Sequence, residues 1–253
     1  MKNISSSVSK IYGNKMHIIF VKNSQKKFLK RLDISLRKVY NIFNEVSDLK
    51  RPSFLNEIKQ KILNAENGTV FVAVDFVDLT DKTTVSVCLT RLESENIIQR
   101  ILRGVYYKAE YNEFLQEYVV PNPEKVAHAL ARNFGWTIVP CGDTALNILG
   151  LSTQVPAAWS YVSDGTYKEY TYDNTTIKFK RTTNKEISKL SYKTALVVQA
   201  LKALGKDNID DTIINKLKND LTDEEKTTAL LEAKAATSWI YEYIKQICKG
   251  DEK

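Results

Sequence analysis

The side chains best suited to chemistry in this sequence are hydroxyl groups and cations on one predicted helix. That helix follows Asp81, a good N-cap, and its Val85, Cys88, Leu89 and Leu92 have the i, i+3, i+4, i+7 spacing of a single buried stripe. Hydroxyls and lysines near a helix start suit phosphate contacts, and an arginine suits a guanine edge or the backbone. The residues off the stripe are the candidates for such contacts: Lys82, Thr83, Thr84, Ser86, Val87, Thr90 and Arg91.

A predicted β-hairpin comes directly after this helix and adds more cations. Residues 97–107 are rich in β-branched and aromatic residues, and Arg103-Gly104 stands at the expected bend. Arg100, Arg103 and Lys108 would then lie along a flanking phosphate backbone or in a minor groove.

The elements before this helix complete a recognisable order. Apolar spacing predicts one helix from Ser35 to Leu49, a second from Ser53 to Leu63, a short strand over 69–71 and a short helix over 74–79 with Phe76, Val77 and Leu79 inward. Helix, strand, helix, tight corner, helix and hairpin is the order of a winged helix-turn-helix, here residues 50–110. The alternative is that this helix is only a solvated face of a domain that uses its winged fold for protein contacts.

The charge distribution also favours a polyanion as the partner of the first half. Residues 1–108 hold 19 Lys/Arg against 10 Asp/Glu, whereas residues 109–253 hold 18 against 20. Lysine and arginine bind nucleic acid through phosphate neutralisation and counterion release. An ordinary solvated basic surface remains the other explanation.

No pattern in the sequence predicts catalysis or metal binding. The only histidines are His17 and His128, and Cys88, Cys141 and Cys248 are far apart without zinc-site spacing. We therefore expect no enzyme activity, no cofactor and no metal. No apolar run has the length of a membrane span or a signal peptide, so a cytoplasmic protein is expected.

The rest of the chain is predicted to be α+β and then helical. After a polar connector over 108–123, helices and strands alternate through residues 111–185, and residues 186–253 form a helical extension. One long helix from Thr222 to Gly250 is expected to bury one face. That face carries Leu231, Ala235, Trp239, Tyr243 and Ile247. The predicted fold class is thus α+β, with a basic N-terminal extension over 1–49.

Two segments carry a family resemblance. The first joins Gly68-Thr69-Val70-Phe71 and Asp75-Phe76-Val77-Asp78-Leu79 to Leu89-Thr90-Arg91-Leu92 and to Ile98 through Arg103-Gly104-Val105-Tyr106. The second, which is more diagnostic, is the run from Pro140 to Pro156 with Leu149-Gly150-Leu151-Ser152-Thr153-Gln154-Val155, followed by Tyr161-Val162-Ser163-Asp164-Gly165. Together they resemble the AbiEi-like antitoxins of type IV toxin–antitoxin and abortive-infection (phage-defence) systems.

The resemblance implies a DNA-binding transcriptional autorepressor and antitoxin. The winged helix would repress its own operon at inverted repeats, as a dimer or as paired copies on double-stranded DNA, and a second domain would counter a nucleotidyltransferase-type toxin with or without direct contact. It assigns Thr90, Arg91, Arg100 and Arg103 to DNA, and Thr153, Gln154, Asp164 and Gly165 to the antitoxin surface. The same run can also simply build the fold.

Two other functions remain open at this point. The first is a winged-helix transcriptional regulator whose second domain senses a ligand or dimerises, without a toxin. The second is an enzyme such as a nuclease guided by its winged helix, for which Glu232-Ala233-Lys234 is the only matching pattern. That pattern lies inside an alanine-rich helix with no aspartate on a preceding strand to complete it.

Overall fold

The computed structural model describes residues 54–182, 187 and 189–249. The basic extension over 1–49 with its predicted helix, the predicted cap Ser53 and the boundary residue Glu186 lie outside the described residues. The described residues belong to one compact unit, which begins at Phe54.

The described residues form eight α-helices and nine strands arranged in three sheets, so the chain is mixed α+β. The helices are α1 (Phe54–Leu63), α2 (Lys82–Ser94), α3 (Pro123–Phe134), α4 (Asp143–Ile148), α5 (Tyr192–Leu204), α6 (Asp211–Asp220), α7 (Asp223–Glu232) and α8 (Ser238–Cys248). The strands are β1 (Val70–Val72), β2 (Gln99–Leu102), β3 (Val105–Tyr107), β4 (Glu110–Asn112), β5 (Glu117–Val119), β6 (Ile138–Pro140), β7 (Trp159–Ser163), β8 (Lys168–Tyr172) and β9 (Thr175–Arg181).

The first part of this unit packs α1 and α2 together beside a three-stranded antiparallel sheet of order β1-β3-β2. The predicted stripe on α2 is confirmed, because all four of its residues are buried in one cluster with Ile58 and Ile62 of α1. Phe76 completes this cluster from a short 3₁₀ turn, Ala73–Phe76. The prediction that Val77 faces inward is wrong, since the turn ends before it and leaves its side chain exposed.

The segment predicted as a polar connector contains a second hairpin, formed by β4 and β5. Asn112 closes its turn, because its side-chain carbonyl accepts hydrogen bonds from the backbone N–H groups of Phe114 and Leu115 at 3.0 and 3.1 Å. Tyr111 and Tyr118 face each other across the two strands with ring centroids 5.2 Å apart. Each strand has only three residues and carries one exposed glutamate, so an analysis of apolar periodicity does not detect this pairing.

A four-stranded sheet of order β6-β7-β9-β8 forms the middle of the unit. Strands β7 and β9 are parallel, whereas the other two pairs are antiparallel. Helix α3 packs on one face, and its Val126 and Leu130 share a core with Ile177 and Phe179 of β9. The same core includes Val70, Val72, Val105 and Tyr107 of the first sheet. The regions before and after residue 110 are therefore joined by continuous apolar packing.

Helices α4 to α8 form a further core with α5 at its centre. The single long helix predicted over 222–250 is wrong, because the chain leaves helical geometry at Ala236 and Thr237, where ψ is 173° and 139°. The expected continuous face is broken accordingly. Leu231 is exposed, and Ile240, Ile244 and Ile247 are the buried residues of α8. Within the described part of the chain, no helix is long and apolar enough to cross a membrane.

Candidate nucleic-acid interface

The start of α2 is fixed by a dense set of hydrogen bonds to Asp81. Its Oδ1 accepts the backbone N–H groups of Thr83 and Thr84 at 2.9 and 3.0 Å, and its Oδ2 accepts the Thr84 hydroxyl at 2.7 Å. The Thr84 hydroxyl, together with these N–H donors, lowers the pKa of the Asp81 carboxyl. The helix therefore begins at a defined residue, which sets the direction of its outer face.

The outer face of α2 carries the residues predicted to contact DNA. Lys82, Thr83, Ser86, Thr90 and Arg91 are exposed, and Thr84 is half-buried. The Ser86 hydroxyl donates to the carbonyl of Lys82 at 2.8 Å, and the Thr90 hydroxyl oxygen lies 2.9 Å from the carbonyl of Ser86 and 3.3 Å from the Tyr106 hydroxyl. Thr90 thus links α2 to the hairpin that follows.

Arg91 is bound on its own helix by an acidic neighbour. Its Nε lies 3.3 Å from Oε1 of Glu95, and the Lys59 ammonium lies 3.3 Å from the other oxygen of the same carboxylate. Two thirds of the Arg91 side chain, 67%, remains exposed. An exposed pair of this kind is weak, so a phosphate or a base can displace Glu95 at small cost.

The hairpin of β2 and β3 follows α2 in the chain, shares its core through Tyr106 and carries two of the predicted arginines. Arg103 stands at the bend with Gly104, whose φ of 76° is in the region that favours glycine. Arg100 is exposed, and its Nε donates to the carbonyl of Leu102 at 3.4 Å. Among the described residues, neither Arg103 nor Lys82 has an ion-pair partner. Both are therefore available to an anion.

Lys108 has a structural contact that the sequence did not indicate. Its ammonium donates to the carbonyls of Leu63 and Ala65, both at 2.8 Å, and its side chain is half-buried. These carbonyls belong to the end of α1 and the residues after it, where backbone acceptors lack helical partners. Lys108 thus ties β3 to α1, and its predicted DNA contact remains a prediction.

The positive charge of the first half is concentrated upstream of this face. Residues 1–53 hold 12 Lys/Arg against 3 Asp/Glu, whereas residues 54–108 hold seven of each. Within the described part Lys61 is also paired, 3.2 Å from Asp78. Any attraction of this part of the chain for an anion therefore depends on where a few cations lie on the α2 face, because residues 54–108 have no net excess of positive charge.

Two of the four residues assigned to an antitoxin surface lie on an exposed loop after α4. Thr153 and Gln154 are exposed, and Val155 beside them is 78% exposed. The loop is nonetheless held in place, because the side-chain amide of Asn147 donates to the Gln154 carbonyl at 2.9 Å. These side chains are available for contact on an ordered backbone.

The other two, Asp164 and Gly165, have contacts that build the fold. The Asp164 carboxylate accepts the backbone N–H of Thr137 at 2.9 Å. A β-carbon added at Gly165 would lie 2.2 Å from the ring of Trp136, so only glycine fits beneath that ring. Trp136 in turn stacks on Phe134, with centroids 4.7 Å apart.

A half-buried polar cluster lies between α3, β7 and α5. His128 faces the rings of Tyr161 and Tyr192, and the Tyr192 hydroxyl donates to the Glu124 carboxylate at 3.3 Å. Burial lowers the pKa of His128, and Glu124 opposes this effect only in part. Burial also raises the pKa of Tyr192 to about 12. Residues so far apart in sequence give no local motif, which is why sequence reasoning assigned His128 no role.

The remaining surface of the described residues includes a cleft. The cleft, of about 350 Å³, lies at the beginning of α3 and is lined mainly by apolar groups, including Val119, Pro121 and Trp159, with Lys125 and Glu110 at its edge. In the described ranges no group of three His, Cys, Asp or Glu residues could hold a metal ion.

Glu232, which belongs to the nuclease-like pattern, has a structural contact. Its carboxylate accepts hydrogen bonds from the backbone N–H and the hydroxyl of Ser191 at 2.8 and 2.9 Å, beside the start of α5.

The match to known families spans most of this architecture. No curated protein matches the chain. A family described as of unknown function, DUF6088, matches residues 57–230, from within α1 to within α7. Because that match covers more than half of the sequence, the chain belongs to the DUF6088 family of unknown function.

Proposed function

We propose that this chain is a DNA-binding antitoxin, which represses its own toxin–antitoxin operon and counteracts a nucleotidyltransferase-type toxin. The observation that carries the DNA-binding part is the outer face of α2 beside the β2–β3 hairpin. The buried stripe fixes α2 on α1, the exposed side of α2 carries Lys82 and Arg91, and the hairpin, which Tyr106 joins to Thr90 of α2, carries Arg103 at its bend. This arrangement is typical of a winged helix-turn-helix, whose last helix enters a major groove.

The size of α2 and the charge of residues 1–53 support the same interpretation. A helix with one buried stripe and an exposed opposite face has the width that B-DNA's major groove accepts. Residues 1–53, with nine more cations than anions, favour association of the full chain with a polyanion. Repression would act by occlusion, as the bound protein covers the promoter, and symmetric operators favour paired copies.

The antitoxin part rests on the resemblance of residues 140–165 to AbiEi-like proteins. The ordered loop with Thr153 and Gln154 supports it, because these exposed side chains can meet a partner without a large ordering cost. In this proposal Asp164 and Gly165 stabilise the fold, because Asp164 binds the backbone before β6 and Gly165 leaves room for the Trp136 ring.

DNA binding is tested with the full chain and labelled duplex from the promoter of its own operon, over 50 to 200 mM salt. We expect affinity to fall steeply with salt, and to fall further when Arg91, Arg100 and Arg103 are replaced together by alanine. The matched control removes three exposed cations of the helical region, Lys206, Lys234 and Lys249. Equal affinities of the two triple variants would overturn the proposed interface.

The antitoxin activity is tested by expressing the neighbouring toxin gene from an unrelated promoter, which separates neutralisation from repression. Restored growth on co-expression of this chain supports the proposal. Growth arrest despite abundant chain contradicts it and favours the regulator without a toxin, for which the cleft beside Trp159 offers a ligand site. Alanine at both Thr153 and Gln154 should impair rescue and leave DNA binding intact.

A further inference from the structure

The exposed face of α2 has an apolar centre, which phosphate binding does not require. Val87 is 65% exposed, although valine lowers helix propensity and a polar residue would suit solvent better. A single exposed valine is ordinary on a protein surface. Its surroundings distinguish this one, because Thr83, Thr90 and Arg91 lie four, three and four residues away on the same exposed face.

Three hydroxyl groups of α2 near Val87, those of Thr84, Ser86 and Thr90, have their donors in use. Ser86 and Thr84 donate to the Lys82 carbonyl and to the Asp81 carboxylate, at 2.8 and 2.7 Å. The Thr90 hydroxyl has the Ser86 carbonyl within 2.9 Å. In these positions the oxygens offer only acceptor capacity to a ligand. Acceptors repel phosphate but can receive the amino groups of adenine and cytosine.

The cations stand at the edges of this face. Lys82 begins the helix, Arg91 lies one turn beyond Val87, and the sequence between them contains no carboxylate. A face with cations outside and methyl groups at its centre matches a duplex groove, with phosphates along its rims and base edges along its floor. The only apolar group that the floor of the major groove presents is the C5 methyl of thymine.

We propose that Val87 is a specificity-determining residue, which contacts the C5 methyl group of a thymine in the major groove. The inference rests on the proposed DNA-binding function and adds the chemistry that the α2 face recognises. The chain would prefer an A·T pair at the position opposite Val87, and the threonine and serine oxygens beside it would receive amino groups from neighbouring bases.

The experiment compares thymine with deoxyuridine, which lacks only that methyl group. Duplexes are first selected from a randomised pool with the full chain, and each thymine of the best duplex is then replaced in turn. We expect one position in each half-site where the replacement weakens binding about fourfold, the effect of burying one methyl group. Val87→Ala should bind both duplexes equally, whereas the control Val77→Ala, an exposed valine off α2, should keep the preference.

The possible outcomes distinguish failure of the methyl contact from failure of the proposed DNA-binding function. If Val87→Ala keeps the wild-type preference for thymine, or if no thymine is sensitive, the methyl contact is overturned while salt-dependent DNA binding stands. If selection recovers no duplex and the chain shows no salt-dependent affinity, both proposals fail. Circular dichroism of Val87→Ala guards against misfolding, and alanine should preserve α2 because it favours helix.

Discussion

Arg132 of α3 donates two hydrogen bonds to Asp75 of the 3₁₀ turn, from Nε to Oδ1 at 2.8 Å and from a terminal nitrogen to Oδ2 at 3.2 Å. The same guanidinium donates to the carbonyl of Val70 at 3.2 Å. The Asp75 carboxylate also accepts the backbone N–H of Val72 at 2.9 Å. One ion pair therefore joins β1, the turn before α2 and the helix that covers the central sheet.

Replacing Arg132 by alanine is expected to lower the free energy of unfolding by about 1–3 kcal/mol. The reason is that Asp75 would lose its charged partner while it remains four-fifths buried, at 20% side-chain exposure. Chemical denaturation measures the change. Lys125→Ala on the same helix is the control, since that residue is exposed, and an equal loss in both variants would contradict the assignment.

Gly165→Ala is expected to destabilise the fold by about 1–3 kcal/mol, through overpacking against Trp136. No backbone strain is involved, because Gly165 is not among the glycines with positive φ. Thermal unfolding and tryptophan fluorescence report the shift. Combining Gly165→Ala with Trp136→Leu should recover part of the loss, and a double variant no better than Gly165→Ala would refute the packing explanation.

Arg103→Ala and Lys108→Ala are expected to separate DNA contact from structure. Loss of Arg103 at the exposed bend should weaken binding across all sequences and reduce the salt slope by about one, with unchanged stability. Loss of Lys108 should instead lower stability by about 1–2 kcal/mol, because the carbonyls of Leu63 and Ala65 lose their donor. Salt titration and denaturation of both variants provide the test, and the reverse pattern would exclude the assigned roles.

Stability is expected to decrease as pH falls through the ordinary range of histidine, near 6.5. Burial lowers the pKa of His128 in the folded chain, so the unfolded chain binds a proton there at a pH where the folded chain does not. The free energy of unfolding therefore rises with pH across this window, and the contribution of neutral His128 is fully present above it. Denaturation of wild type and His128→Gln from pH 5 to 8 measures the effect, and an identical pH dependence in both would show that another group is responsible.

Local patterns in the sequence were sufficient for the elements around the candidate interface. The stripe on α2, its Asp81 cap and the bend at Arg103-Gly104 each depend on residues within a few positions of one another, and the structure places them as predicted. The hairpin of β4 and β5 was missed because its strands are short and rich in glutamate. The break between α7 and α8 was missed because the alanine-rich segment before Ala236 has good helix propensity, which packing overrides.

The sequence by itself determined the α+β class and the amphipathic helix with its exposed polar face. Only the tertiary structure decided that Lys108 ties β3 to α1, that Asp164 and Gly165 support Thr137 and Trp136, and that His128 meets Tyr161 and Tyr192. The physical reason is the distance along the sequence between the residues that contact each other. Caps and stripes follow from neighbours along the chain, whereas these contacts join residues brought together only when sheets and helices pack.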